Sequence, residues 1–227
     1  MKKIIVHVLV VISFIFILQV PFLFPSDELP SPEIVNAARE GIKTFIKDTR
    51  IENLHRFGFL NQKEVDEATL GEGFQIFTIS PDTLLKDETS QDLHLMAVPT
   101  TLWQFLIVTD GKAVSLLTVD YINNKWTAVS IGASRLAKQL SKFIETWPLS
   151  KGYHYRLIRV YQATADLIEL SQEEKVIGIV PLRSGRIAMG LERKDFDPRD
   201  LYYSSNVLTK IRPVVRNNIQ TYKSLEE

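Results

Sequence analysis

The chain contains no cysteine, which excludes disulfide bonds, thiolate nucleophiles, cysteine-ligated metals and an amino-terminal lipoprotein anchor. Only four histidines occur, and no two of them have the i, i+4 spacing of a zinc-binding helix. A G-x-S-x-G nucleophile elbow and a glycine-rich phosphate loop are also missing. These absences predict a chain without a cofactor and favour a protein that is not an enzyme.

An excess of charge of one sign is lacking as well. The sequence balances 27 basic against 27 acidic residues, and without Lys2 and Lys3 the remainder is close to neutral and slightly acidic. Nucleic-acid-binding domains instead carry a clustered basic footprint. We therefore expect no nucleic-acid partner.

What the chain does have is a long apolar run at its amino end. Lys2 and Lys3 precede residues 4–24, which are almost uniformly apolar. About 20 apolar residues can span a bilayer, and residues 22–26 (FLFPS) lack the small residues of an A-x-A cleavage site. Residues 1–26 are therefore predicted to be a signal anchor, with a cleaved signal peptide as the alternative.

The charges around this run predict its orientation. Both lysines lie before it, whereas Asp27 and Glu28 follow it, and the positive-inside rule then puts the domain outside the cytoplasm. Residues 27–33 are interpreted as a linker and residues 34–227 as a single extracytoplasmic domain. We expect a membrane-anchored protein, or a secreted one if the leader is cleaved.

The clearest fold signal lies in the middle of the chain. Three apolar runs, residues 102–109, 113–122 and 125–131, are separated by Asp110-Gly111 and Asn123-Asn124. Asp-Gly between such runs favours a type I′ hairpin turn, in which both central residues have positive φ, and Asn tolerates the same conformation. The pattern predicts a three-stranded antiparallel meander over residues 102–131.

Helical periodicity flanks this meander. A first helix is expected from Pro32 to about residue 49 with Ser31 as its cap, and a second over about residues 63–70. Gly71-Glu72-Gly73 then reads as a turn into a strand, with a hinge at the edge of a groove as its functional alternative. A further amphipathic helix follows Gly132, with Ser134 as its cap.

The second half predicts more strands and a final helix. Residues 153–170 form one bent strand or two short ones, and residues 175–182 and 186–191 form a hairpin around Ser184-Gly185. A last helix opens at Asp197-Pro198, with Pro213 kinking or splitting it. The class is therefore α+β, a mainly antiparallel sheet packed with amphipathic helices.

Two groups of residues are candidate sites. Asp195, Asp197 and Asp200 could offer oxygen ligands to calcium, although helix capping and the helix dipole give Asp197 and Asp200 ordinary roles. The other group alternates tyrosine with arginine, a composition enriched at recognition surfaces; its alternative is a set of tyrosines half-buried beneath a helix. The candidate binding residues are Tyr153, Tyr155, Arg156, Arg159 and Tyr161.

The function that these features favour is non-catalytic binding or interaction. The membrane is the expected partner of the amino-terminal segment, and a protein or cell-envelope component is the expected partner of the domain. The alternative is an extracytoplasmic hydrolase whose carboxylates come from distant residues such as Glu72, Asp120 and Glu169.

Overall fold

The computed structural model describes residues 29–47, 51–86, 89–191 and 195–226. The predicted anchor over residues 1–26 lies outside these residues, as does the beginning of the predicted linker. Among the described helices, none has the length and apolar character needed to cross a membrane.

A seven-stranded sheet forms the centre of the domain. Its order is β4-β3-β2-β1-β5-β6-β7, and every neighbouring pair is antiparallel except β1 and β5. Two antiparallel meanders, β1 to β4 and β5 to β7, therefore meet along one parallel pair. The strands are β1 (Thr69–Thr78), β2 (Val98–Thr109), β3 (Lys112–Ile122), β4 (Lys125–Gly132), β5 (Tyr153–Val160), β6 (Ala165–Gln172) and β7 (Lys175–Pro181).

Helices precede, interrupt and follow these strands, which confirms the α+β class. Three of them are long enough to cover the sheet: α1, α5 and α7. The α-helices are α1 (Pro32–Lys47), α2 (Gln62–Asp66), α3 (Pro81–Lys86), α4 (Leu93–Met96), α5 (Ser134–Thr146), α6 (Arg183–Ala188) and α7 (Ser204–Glu226), and 3₁₀ helices span Ile51–Phe57, Leu149–Lys151 and Tyr161–Ala163.

The predicted meander and both of its turns are observed. Asp110 and Gly111 have φ of 48° and 69°, and Asn123 and Asn124 have φ of 50° and 61°. These values are the left-handed conformations that a type I′ turn requires at both central positions. The turn chemistry of the sequence therefore fixes the register of β2, β3 and β4.

Alternation along the strands directs side chains to two helical layers. In β2, Trp103, Phe105 and Ile107 belong to the cluster that includes residues of α1, whereas Leu106 packs with residues of α5. In β5, Leu157 packs in the α5 cluster and Ile158 in the α7 cluster. Because neighbouring strands share this alternation, α1 and α7 lie on one face of the sheet and α5 on the other.

The predicted hairpin around Ser184-Gly185 is wrong, because residues 183–188 form α6. The Ser184 hydroxyl accepts a hydrogen bond from the Asp166 backbone N–H at 2.9 Å, which holds the start of this helix on β6. A Cβ on Gly185 would lie 2.5 Å from the Asp166 carbonyl oxygen, so glycine permits the close approach. Packing against β6 therefore replaces the expected second strand with a helix.

Three predicted helix boundaries are also corrected. The final helix begins at Ser204 rather than Asp197, and it continues past Pro213 without being split. The helix after Gly132 begins at Ser134, but its cap is Ala133 at φ 56° and no side chain caps it. The second helix ends at Asp66 with Glu67 as its C-cap, and β1 begins at Thr69.

Candidate ligand-binding cleft

The two meanders are only partly joined. The ladder between β1 and β5 covers Ile76–Thr78 paired with residues 157–159. β1 begins at Thr69 and β5 at Tyr153, so several residues at the start of each strand lack a ladder partner on the other. A gap therefore opens in the sheet where these two parallel strands begin.

A β-bulge shapes the β1 side of this gap. Leu70 pairs with Ile107, and the next pair joins Gly73 to Phe105, so β1 carries one more residue than β2 over this step. A Cβ on Gly73 would lie 2.5 Å from the Phe105 ring, and only glycine fits so close to it. The Gly-Glu-Gly segment is therefore part of a strand, and its interpretation as a turn before the strand is wrong.

A first cleft occupies the gap, and we call it the gap cleft. It encloses about 430 Å³, and its wall includes Phe77, Phe74 and Trp103, one from each of the three hydrophobic clusters of the core. Its lining consists of Leu29, Pro30, Glu72, Gly73, Phe74, Gln75, Phe77, Trp103, Leu149, His154 and Tyr155. The gap cleft therefore lies at the junction of the two meanders and has aromatic side chains in its wall.

A second cleft lies between α1 and the start of β1, and we call it the helix cleft. It encloses about 710 Å³ and is lined by Leu29, Pro30, Val35, Arg39, Ile42, Lys43, residues 68–73 and Phe105. Both clefts include Leu29, Pro30, Glu72 and Gly73. The two clefts are therefore adjacent and share the bulge as their common wall.

Two titratable groups at this junction have raised pKa values. Burial raises the pKa of the Glu72 carboxyl above its usual 4.5. Burial, and secondly the negative charge of Glu72, raise the pKa of Tyr155 well above its usual range. Among the described residues, no group forms a hydrogen bond with the Tyr155 hydroxyl. The junction is a site from which water is partly excluded.

A separate cluster around the buried Glu169 side chain lies outside both clefts. The Nδ1 atom of His94 is 2.7 Å from Oε1 of Glu169, and Nη1 of Arg156 is 3.6 Å from the same oxygen. Burial raises the pKa of Glu169. The hydrogen bond from His94 and the charge of Arg156 act in the opposite direction and partly offset this increase. Among the described residues, no hydroxyl forms a hydrogen bond with the His94 ring. The His94–Glu169 hydrogen bond joins α4 to β6.

The predicted binding residues do not form one surface. Tyr155 lines the gap cleft. Tyr153 packs edge-on against Trp147, the C-cap residue of α5. Arg156 lies on the opposite face, with its guanidinium 4.9 Å from the Phe77 ring centre. Tyr155 is therefore the member of the set that reaches a cleft.

The two remaining members of the set lie elsewhere. Arg159 forms a 2.7 Å ion pair with Asp166, and Tyr161 is exposed in the 3₁₀ helix that follows β5. Tyr161 therefore follows the end of β5 and does not share a strand face with Tyr153 and Tyr155.

The carboxylates singled out by the sequence are also dispersed. Asp200 pairs with Arg186 at 2.9 Å, and Asp197 accepts a hydrogen bond from the Arg199 backbone N–H. In the part of the chain that the structure describes, no three histidine or acidic side chains are grouped to hold a metal ion. Asp120 accepts a hydrogen bond from Thr101 on the surface, two strands away from Glu72.

Several cleft residues were not singled out from the sequence. Phe74 and Trp103 resemble ordinary core residues, and Arg39 and Lys43 resemble a solvated helix face. The one local signal was the pair of glycines around Glu72, for which a groove edge had been the alternative interpretation. The remaining lining depends on how the two meanders pair.

No protein-family model, curated protein or solved structure matches this chain. What the clefts can bind therefore follows from their own lining: apolar and aromatic walls, two cations at one rim, and an acid at the junction.

Proposed function

We propose that this chain is an exported, membrane-tethered domain that binds an elongated apolar ligand in the two adjacent clefts and does not transform it. The observation that carries the proposal is the gap between β1 and β5. There, Phe74, Phe77 and Trp103, which come from three core clusters, line a volume of about 430 Å³ between the two strands. Ligand sites are typically concave, mostly apolar and about 300–1,000 Å³ in size, and both clefts fall within that range.

The position of the clefts relative to the predicted anchor supports the proposal. Leu29 and Pro30 line both clefts, and the apolar run ends at Phe24. Five residue steps can span at most ~18 Å. With the anchor in place, the clefts would therefore lie close to the bilayer surface, where apolar molecules are concentrated.

The second candidate function remains an extracytoplasmic hydrolase. It is favoured by the buried Glu169–His94 pair, because carboxylate–histidine pairs can act as general bases. Two observations count against it: neither residue lines the clefts, and no described hydroxyl forms a hydrogen bond with the His94 ring. Binding without turnover accounts for the cleft more directly.

Photo-crosslinking tests the proposal. The full chain would be reconstituted into phosphatidylcholine nanodiscs with palmitic acid that carries a diazirine on its alkyl chain, and adducts would be located by tandem mass spectrometry. We expect adducts within residues 68–77 and 149–155, which line the clefts. Adducts distributed over the domain surface without enrichment in these residues would contradict the proposal.

A matched pair of variants sharpens this test. Leu149→Lys puts a charge at the rim of the gap cleft, where the native side chain is already 36% exposed. Leu95→Lys makes the same change at a site on α4 that is 65% exposed and outside both clefts. We expect only the first variant to reduce adducts in the cleft.

A further inference from the structure

We infer that the ligand is a long-chain carboxylate whose anionic head group is bound by Arg39 and Lys43 at the rim of the helix cleft. This inference rests on the proposed function and specifies the chemical class of the ligand. The apolar chain would pass Glu72 and Gly73 into the gap cleft. The observation that carries it is the juxtaposition of two exposed cations with a partly apolar cleft that shares four lining residues with the gap cleft.

The spacing of the lining residues on α1 supports this arrangement. Val35, Arg39, Ile42 and Lys43 follow one another at four, three and one positions, so they form a single stripe along the helix. All four line the helix cleft. The stripe therefore presents apolar and cationic groups to the same volume, as an amphiphile requires.

Two properties of Arg39 and Lys43 favour the binding of an anion. Neither the Arg39 nor the Lys43 side chain forms an ion pair or hydrogen bond with another described residue. Like charges at i, i+4 repel each other on a helix, and an anion between them would relieve that repulsion. Arginine also presents a planar fork of donors that matches a carboxylate.

The charge of the lining favours a single carboxylate over a phosphate. Arg39 and Lys43 contribute two positive charges, and Glu72 contributes one carboxyl group to the same cleft. With Glu72 ionised, the lining carries one net positive charge, which a monoanion neutralises. Protonation of Glu72 would remove the negative charge of its carboxylate and so strengthen binding of the anion.

Competition between head groups tests the inference. The full chain in phosphatidylcholine nanodiscs would be crosslinked with diazirine-bearing palmitic acid in the presence of unlabelled palmitic acid, methyl palmitate or lysophosphatidic acid. We expect palmitic acid to compete at concentrations roughly tenfold or more below those of methyl palmitate, because the ester cannot make charge-assisted hydrogen bonds.

Two double variants separate the head-group site from general surface charge. Arg39→Gln with Lys43→Gln should make palmitic acid and methyl palmitate equal competitors. Arg135→Gln with Lys138→Gln removes two exposed cations from α5, outside both clefts, and should leave the preference for the acid unchanged. Circular dichroism and urea unfolding would show that each variant remains folded.

The outcomes distinguish this inference from the proposed function. Equal competition by acid and ester in the unaltered chain, with adducts still in the clefts, would overturn the head-group assignment and leave the cleft as a binding site. Stronger competition by lysophosphatidic acid than by palmitic acid would overturn the assignment of a carboxylate. Adducts that are not enriched in the clefts would overturn both the inference and the proposed function.

Discussion

Glu72 on β1 and Tyr155 on β5 line one cleft, although the ladder between their strands does not extend to either residue. The charge of Glu72 adds to burial in raising the pKa of Tyr155, and burial raises the pKa of Glu72 itself. An acid and a phenol are thus held where their charged forms are poorly solvated. Such a site suits the passage of an apolar chain.

The raised pKa of Glu72 predicts how stability depends on pH. Its contribution is fully present below the usual value of 4.5 and is lost as the pH rises through the higher value in the folded state. Glu72→Gln removes this titration. The variant should match the unaltered chain in free energy of unfolding at low pH and exceed it at neutral pH, as measured by urea unfolding over a pH series.

Glu40→Gln provides the control for that experiment, because Glu40 lies on the exposed surface of α1 outside both clefts. We expect its difference from the unaltered chain to vary much less with pH. If Glu72→Gln gave no gain at neutral pH, the account of a desolvated acid at the junction would be wrong.

Removal of Arg156 should destabilise the domain strongly. Its side chain is 9% exposed and its partner Glu169 is 2% exposed. Removing one member of a buried ion pair typically costs about 3–5 kcal/mol, because the other charge stays buried. Arg156→Met should therefore lower the free energy of unfolding by roughly that amount at neutral pH, as measured by urea denaturation.

An exposed pair gives the comparison. Lys86 and Asp82 are 76% and 78% exposed at 3.0 Å, and surface pairs contribute about 0–1 kcal/mol. Lys86→Met should change the free energy of unfolding by no more than that. Equal effects of the two substitutions would show that burial does not increase the contribution of the Arg156–Glu169 pair to the free energy of unfolding.

Gly111→Val should weaken the β2–β3 turn. Gly111 has φ of 69°, and a Cβ there would meet nothing within 4 Å, so the cost is one of backbone conformation alone. A left-handed conformation costs an ordinary residue about 1–2 kcal/mol. We expect a loss of that size in urea unfolding. Gly111→Asn should lose less, because asparagine tolerates this conformation, and equal losses would argue against strain as the cause.

The anchor prediction concerns residues outside the described part of the chain. Protein recovered from a membrane fraction should have an intact mass that includes residues 1–26, because residues 22–26 lack a small-residue cleavage site. Phe24→Ala with Ser26→Ala supplies such a site and should release a shorter, soluble domain. A mature terminus near Asp27 in the unaltered protein would contradict the prediction.

Local turn chemistry explains what the sequence could predict. Asp110-Gly111 and Asn123-Asn124 favour positive φ by themselves, so the central meander follows from short-range information. Glu173 and Glu174 adopt the same conformation between β6 and β7, at φ of 49° and 62°, without any such preference. Pairing of the two strands imposes that turn, which a local pattern does not reveal.

The site depended on information that is not local. Glu72 and Tyr155 are far apart in sequence, and they approach because β1 pairs in parallel with β5 for only three residues. No short-range signal encodes that partial pairing. Similarly, α6 forms where the Gly185 backbone approaches Asp166, a contact that arises only once β6 is in place.

The absence of cysteine allows the most direct test of ligand binding in the clefts. Leu149→Cys introduces a single thiol at the gap cleft, and Leu95→Cys introduces one on α4 outside both clefts. Maleimide labelling rates would be measured on the full chain in phosphatidylcholine nanodiscs with and without added palmitic acid. We predict that palmitic acid slows labelling of the first thiol and leaves the second unchanged. Unchanged labelling of the Leu149→Cys variant would contradict the central claim that the clefts bind a long-chain apolar ligand.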